Sequence, residues 1–148
     1  MLKKIHPIAG IFSLLTIATF WLSTVYVELF ATQESVILVK TAIPWGLLIL
    51  IPALALTGAS GFKLSQGRRV GLVAKKLKRM PFIALNGLLI LMPAALYLAN
   101  KASMAEFDTT FYLVQGIELV AGATNMFLII LSAQEGKKLT KNRKAKKS

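Results

Sequence analysis

Four long apolar runs, parted by short polar stretches, set the pattern of this 148-residue chain. They cover residues of about 6–28, 41–63, 81–100 and 110–134. Each is near the roughly 20 residues that a helix needs to cross a hydrocarbon core of about 30 Å. The predicted fold is therefore all-α, a polytopic membrane protein with a four-transmembrane-helix bundle of two antiparallel hairpins. Residues 1–136 form its transmembrane domain, and residues 137–148 are a basic cytoplasmic tail expected to be disordered. The first run follows Lys3 and Lys4. It is too long for the apolar core of a signal peptide and lacks a small-x-small cleavage site, so it reads as a retained signal-anchor.

Punctuation along the runs agrees with these spans. Pro7, Pro44 and Pro81 fall where the first turn of a span is expected, a position at which the missing N–H costs nothing. Pro52 and Pro93 lie inside spans and should kink them. Tyr26, Trp45, Tyr97 and Tyr112 sit near one boundary, as an aromatic belt would, with Trp21 deeper. Small residues at Gly10 and Ser13, Gly58 and Gly61, and Gly116 and Gly122 with Ala123 supply faces for close helix packing.

Charge fixes a direction. Of 18 Lys and Arg, two precede the first span, seven lie between Lys63 and Arg79, and seven lie between Lys137 and Lys147. The opposite connections carry only Lys40 and Lys101, together with Glu28, Glu34, Glu106 and Asp108. The positive-inside rule then places both termini in the cytoplasm. A net charge of +12 would suggest nucleic acid in a soluble chain. Here the charges flank apolar runs, so they point to anionic lipid at the cytoplasmic face and not to nucleic acid. The segment Val70 to Met80, alternating apolar and basic, is expected as an amphipathic helix on that surface. Cysteine is absent and histidine occurs once, which excludes disulfides, thiolate metal sites and multi-histidine cages.

Polar residues within the spans are the candidate chemistry, because burying them in lipid is costly. Gln115, Glu118, Gly122 and Asn125 recur at intervals of 3, 4 and 3, one helical face turned inward. Asn86 is a further buried polar position. Glu118 lies about 12 Å below the outer end of the fourth span, level with Tyr97, Trp45, Thr19 and Ser23 as possible hydrogen-bond partners. It is either a carboxyl that fastens helices together or one that carries a proton or cation in a small transporter or channel subunit.

The second candidate is His6, read as the N-cap before Pro7 at the cytoplasmic edge. Ala9, Gly10 and Ser13 follow on its face, all small, leaving a flat strip beside the imidazole that a porphyrin plate could use. Arg68, Arg69, Lys75 and Lys76 lie on the same side and could pair with propionates. A weak internal repeat, Lys4-Ile5-His6-Pro7-Ile8-Ala9 against Arg79-Met80-Pro81-Phe82-Ile83-Ala84, puts Met80 in the place of His6.

The sequence His6-Pro7-Ile8-Ala9-Gly10 ahead of a long apolar span resembles the His-x-x-x-Gly helices of membrane b-type cytochromes and of the membrane anchors of quinone-linked dehydrogenases. The resemblance covers the first span only. It implies haem b with His6 as an axial ligand to the iron and a redox or electron-transfer role. Those families supply a second histidine, which this chain lacks, so Met80 or the His6 of a second copy in a homodimer would complete the ligation. As a whole the chain is similar to small four-span inner-membrane proteins of bacteria, a likeness that implies a bacterial inner (plasma) membrane.

No Walker loop, dinucleotide fingerprint, zinc-protease motif or nucleophile elbow is present, and the spans leave no room for a soluble catalytic domain. The expectation is a haem-binding membrane protein and not an enzyme on its own. The alternatives are a non-catalytic module that binds a partner protein or lipid through its basic face, or a transporter or channel subunit using Glu118. Glu118 and His6 lie about 24 Å apart along the membrane normal and cannot share one site within a subunit.

Overall fold

The computed structural model describes residues 2–65 and 71–145, and every regular element among them is helical. Helix α1 covers Leu2–Phe30, α2 Gln33–Ser65, α3 Gly71–Asn86, α4 Met92–Ser103 and α5 Thr109–Ala145. A π-helical segment, Gly87–Leu91, joins α3 to α4, so the three form one continuous rod. Four rods are thus long and apolar enough to cross a membrane. The expected four-helix architecture is what the chain adopts.

The rods pack as a ring. α1 lies against α2 and α5, and the α3–α4 rod lies against the same two neighbours, with no close backbone approach across either diagonal among the described residues. One end of the bundle gathers the start of α1, the end of α2, the start of α3 and the end of α5. The other end holds the turn at Ala31–Thr32 and the loop between α4 and α5, with most of the acidic residues. These are called the basic and acidic ends below. Toward the acidic end Val27, Val36, Leu98, Ala102 and Phe111 form a tight apolar cluster drawn from all four rods.

Long helices displace several expected positions. α2 starts at Gln33 rather than near 41, so Lys40 stands inside it, about 10 Å from its start. Pro44 and Pro81, expected in first turns, lie well within α2 and α3. His6 is a helical residue of α1, not its cap. The basic tail is helical as far as Ala145, and Gly71–Met80 is the first part of the α3 rod rather than a separate surface helix. In each case an apolar run ended the expected span, although the backbone hydrogen-bond ladder carries on through polar residues that need no membrane.

The two prolines expected to kink their spans, Pro52 and Pro93, behave differently. α2 continues as α-helix through Pro52. Ahead of Pro93 the rod widens to a π turn, in which the Met92 N–H bonds to the Gly87 carbonyl. A proline ring clashes with the carbonyl four residues before it, here Leu89, and the wider turn gives that carbonyl room.

Candidate functional site

Lys40 and Glu118 face each other between α2 and α5. The Lys40 ammonium donates to Glu118 Oε2 at 2.5 Å, and Lys40 is only 1% exposed. Neither Trp45 nor Tyr97 serves the carboxylate as expected. Trp45 is 73% exposed, on the outer face of the bundle. Thr19 is also exposed and returns its hydroxyl to the Leu15 carbonyl of its own helix. A lysine this deep is sustainable only beside an opposite charge, because an unpaired buried ion costs several kcal/mol. The charge that the sequence places in a connecting loop is the partner of the acid.

The stripe expected on α5 does turn inward. Gln115 is 5% exposed and Asn125 is 1% exposed. Gly122 receives the indole of Trp21, whose Nε1 donates to the Leu119 carbonyl at 2.9 Å. Asn86 Nδ2 donates to the Ala121 carbonyl and to Asn125 Oδ1, both at 2.9 Å. Asn125 Nδ2 in turn reaches the Ile83 carbonyl at 3.4 Å. The paired amides therefore tie α5 to the rod where the π segment begins. Among the described residues the Oε1 atoms of Gln115 and Glu28 are buried without a hydrogen-bond partner.

Because the backbones of opposite rods do not approach closely, the centre holds a cavity of about 280 Å³. Its wall is mostly apolar, with Leu47, Leu50 and Leu54 from α2 and Leu88, Leu91 and Met92 from the π segment and the start of α4. Aromatic rings of Phe20 and Trp21 also line it. Its polar wall residues are Thr24, Glu118 and Asn125. Glu118 belongs to the lining and Lys40 does not, so an occupant meets the carboxylate with the ammonium behind it. Gly58 borders the cavity toward the basic end, and a Cβ there would meet nothing within 4 Å.

His6 lies in a different place, as the depth estimate requires. Its Nδ1 is within hydrogen-bond distance of the Thr57 carbonyl at 3.0 Å and of Ser60 Oγ at 3.1 Å. Gly10 packs against the Thr57 methyl, and Ser13 is 1% exposed. The flat strip beside the imidazole is thus covered by α2, and a porphyrin plate does not fit there as the helices are packed. The structure does bring His6 and Met80 together: both side chains lie over Gly61, where even a methyl group would collide with them. Among the described residues no group of three His, Asp or Glu side chains converges as a metal site.

Of the basic residues expected to meet propionates or lipid, Lys75 is exposed. Lys76 is helical, and Arg68 and Arg69 lie outside the described residues. Arg79 pairs with Glu135 at 2.9 Å, holding α3 to α5 at the basic end. The Glu135 partnership and the Lys40 partnership both escape sequence reading because their members are 56 and 78 residues apart. No protein-family model, curated protein or solved structure matches the chain.

Proposed function

We propose that this protein is a membrane-embedded binding bundle of the small transporter or channel-subunit class, which takes a mainly apolar molecule into its central cavity and meets its polar part with Glu118. The observation that carries this reading is the cavity of about 280 Å³ with one half of an intramembrane ion pair in its wall. Ligand pockets combine an apolar lining with a few convergent polar groups, and ionisable residues inside a membrane mark functional sites more often than not. The π segment supports the same reading. Gly87, Leu88 and Leu91 line the cavity, and π turns recur at functional sites where a helix must adjust around a ligand. The bundle is read as lying in a bacterial inner membrane with the basic end in the cytoplasm, where its lysines rest on anionic headgroups.

A fluorescence titration tests the binding. The chain has two tryptophans, and Trp45→Phe leaves Trp21, in the cavity wall, as the single emitter. Neopentylbenzene, a neutral apolar probe, should change Trp21 emission saturably in the detergent-solubilised protein. Gly58→Leu, whose Cβ enters open space beside the cavity, should remove that response. A response that never saturates, or one that survives Gly58→Leu, would overturn the proposal.

The haem reading has one observation in its favour, the meeting of His6 and Met80 over Gly61. It would require α1 to part from α2 along the strip that Gly10 and Ser13 now close. A Soret band in purified protein, lost in both His6→Ala and Met80→Leu, is what it predicts; colourless protein after haem supplementation would count against it.

A further inference from the structure

We infer that the polar part of the cavity's ligand is a cation, and that Lys40 is a tethered cation standing in for it on Glu118. The inference rests on the reading of the cavity as a ligand site and concerns only the chemistry of what it takes. Three features of the wall carry it. The first is which half of the pair lines the cavity: Glu118 does, whereas Lys40 is buried behind it at 1% exposure. An anion entering from the cavity meets a carboxylate first and is repelled, while a cation finds its counter-charge at once. The second is the aromatic lining, Phe20 and Trp21, since indole and phenyl rings favour cations over anions near their faces. The third is the number of acceptors. Glu118 Oε2 holds the Lys40 ammonium, and no hydrogen bond within the described residues engages Oε1. The carboxylate thus has an oxygen with which to receive a second cation before the first withdraws.

The arrangement makes Lys40 and the ligand competitors for one carboxylate. With the cavity empty of ligand, Lys40 neutralises Glu118 and the pair is tolerated in lipid. An entering cation with an apolar body takes over that neutralisation, and the flexible four-carbon stem of Lys40 lets its ammonium draw back toward the acidic end. Lipophilic primary to quaternary amines have this chemistry: a compact positive head on an apolar body small enough for the cavity.

Two isosteres separate charge from shape. Benzyltrimethylammonium and neopentylbenzene differ by a positively charged nitrogen in place of a carbon. Both are titrated against Trp21 emission in the Trp45→Phe protein, in detergent. Wild-type side chains at 40 and 118 should bind the cation more tightly than its neutral isostere. Glu118→Gln should weaken the cation about ten-fold or more relative to the neutral probe. The paired variant Lys40→Met/Glu118→Gln removes both charges and leaves no ion buried alone, so it keeps the fold. It should still bind neopentylbenzene saturably and lose its preference for the cation. Saturation by neopentylbenzene with no tighter binding of the cation, or a cation preference that survives in the paired variant, overturns the inference and leaves the cavity reading standing. Failure of both probes to saturate removes the cavity reading itself.

Discussion

At Ala105 the backbone takes φ of +55°, the left-handed conformation that a side chain disfavours. It does so because α4 ends in a two-bond closure. The Glu106 N–H returns to the Lys101 carbonyl at 3.0 Å and the Ala105 N–H to the Ala102 carbonyl at 2.9 Å, a pattern in which glycine is usual at the second residue past the helix. Ala105→Gly should therefore raise stability by about 1 kcal/mol, seen as a higher midpoint in a detergent melt. Three residues on, Asp108 caps α5. Its Oδ1 accepts from the Phe111 N–H at 2.9 Å and from the Thr110 hydroxyl at 2.7 Å, and its Oδ2 accepts from the Lys101 ammonium. The Lys101 bond, then those from Thr110 and Phe111, hold the carboxyl well below the usual carboxylate range. A depressed folded-state value means that the stabilisation is complete above the ordinary range, near pH 4, and is lost as pH falls from there toward the depressed value. Acidification below about pH 4 should lower the melting midpoint of the parent more than that of Asp108→Asn. The loop charges are plain in the sequence. That they close one loop depends on the backbone turn at Ala105, to which charge patterning is blind.

Element boundaries were legible only where polarity and helix agree. The stripe from Gln115 to Asn125 could be read from spacing alone, because 3, 4 and 3 is a property of one helix. Lys40 could not. A lysine next to an apolar run closes a hydropathy window, and what keeps it inside α2 is a carboxylate 78 residues away. The pair is also the most exacting link between α2 and α5, two rods whose backbones make no close approach. Lys40→Met should thus cost about 3–5 kcal/mol by leaving Glu118 charged and alone, and the further change Glu118→Gln should restore most of it. Unfolding midpoints of the two single variants and the double variant give the coupling. Equal loss in the double and the single variants would mean that the pair acts through packing and not through charge.

At the scale of the whole molecule, moving Lys40 into the bundle sharpens the charge asymmetry. With its ammonium neutralised by Glu118, Lys101 is the one basic side chain left at the acidic end among the described residues, whereas 16 of the 18 Lys and Arg belong to the sequence before the first span, residues 63–79 and residues 137–147. Lys101 is itself bridged to Glu106 and Asp108, at 2.8 and 2.7 Å, so that end presents hardly any uncompensated positive charge. A bias this lopsided, carried by short segments next to the spans, is the kind that sets orientation during insertion. The chain has no cysteine, so single replacements report topology without a background to remove. Thr32→Cys in the first turn, Ser103→Cys at the end of α4 and Lys75→Cys near the start of α3 all fall at exposed positions. In intact cells an impermeant maleimide should label Thr32→Cys and Ser103→Cys and spare Lys75→Cys until the membrane is opened. The reverse pattern would put the basic end outside. Labelling of Thr32→Cys without Ser103→Cys would break the two-hairpin topology, because the ring of four rods requires both connections at the same end.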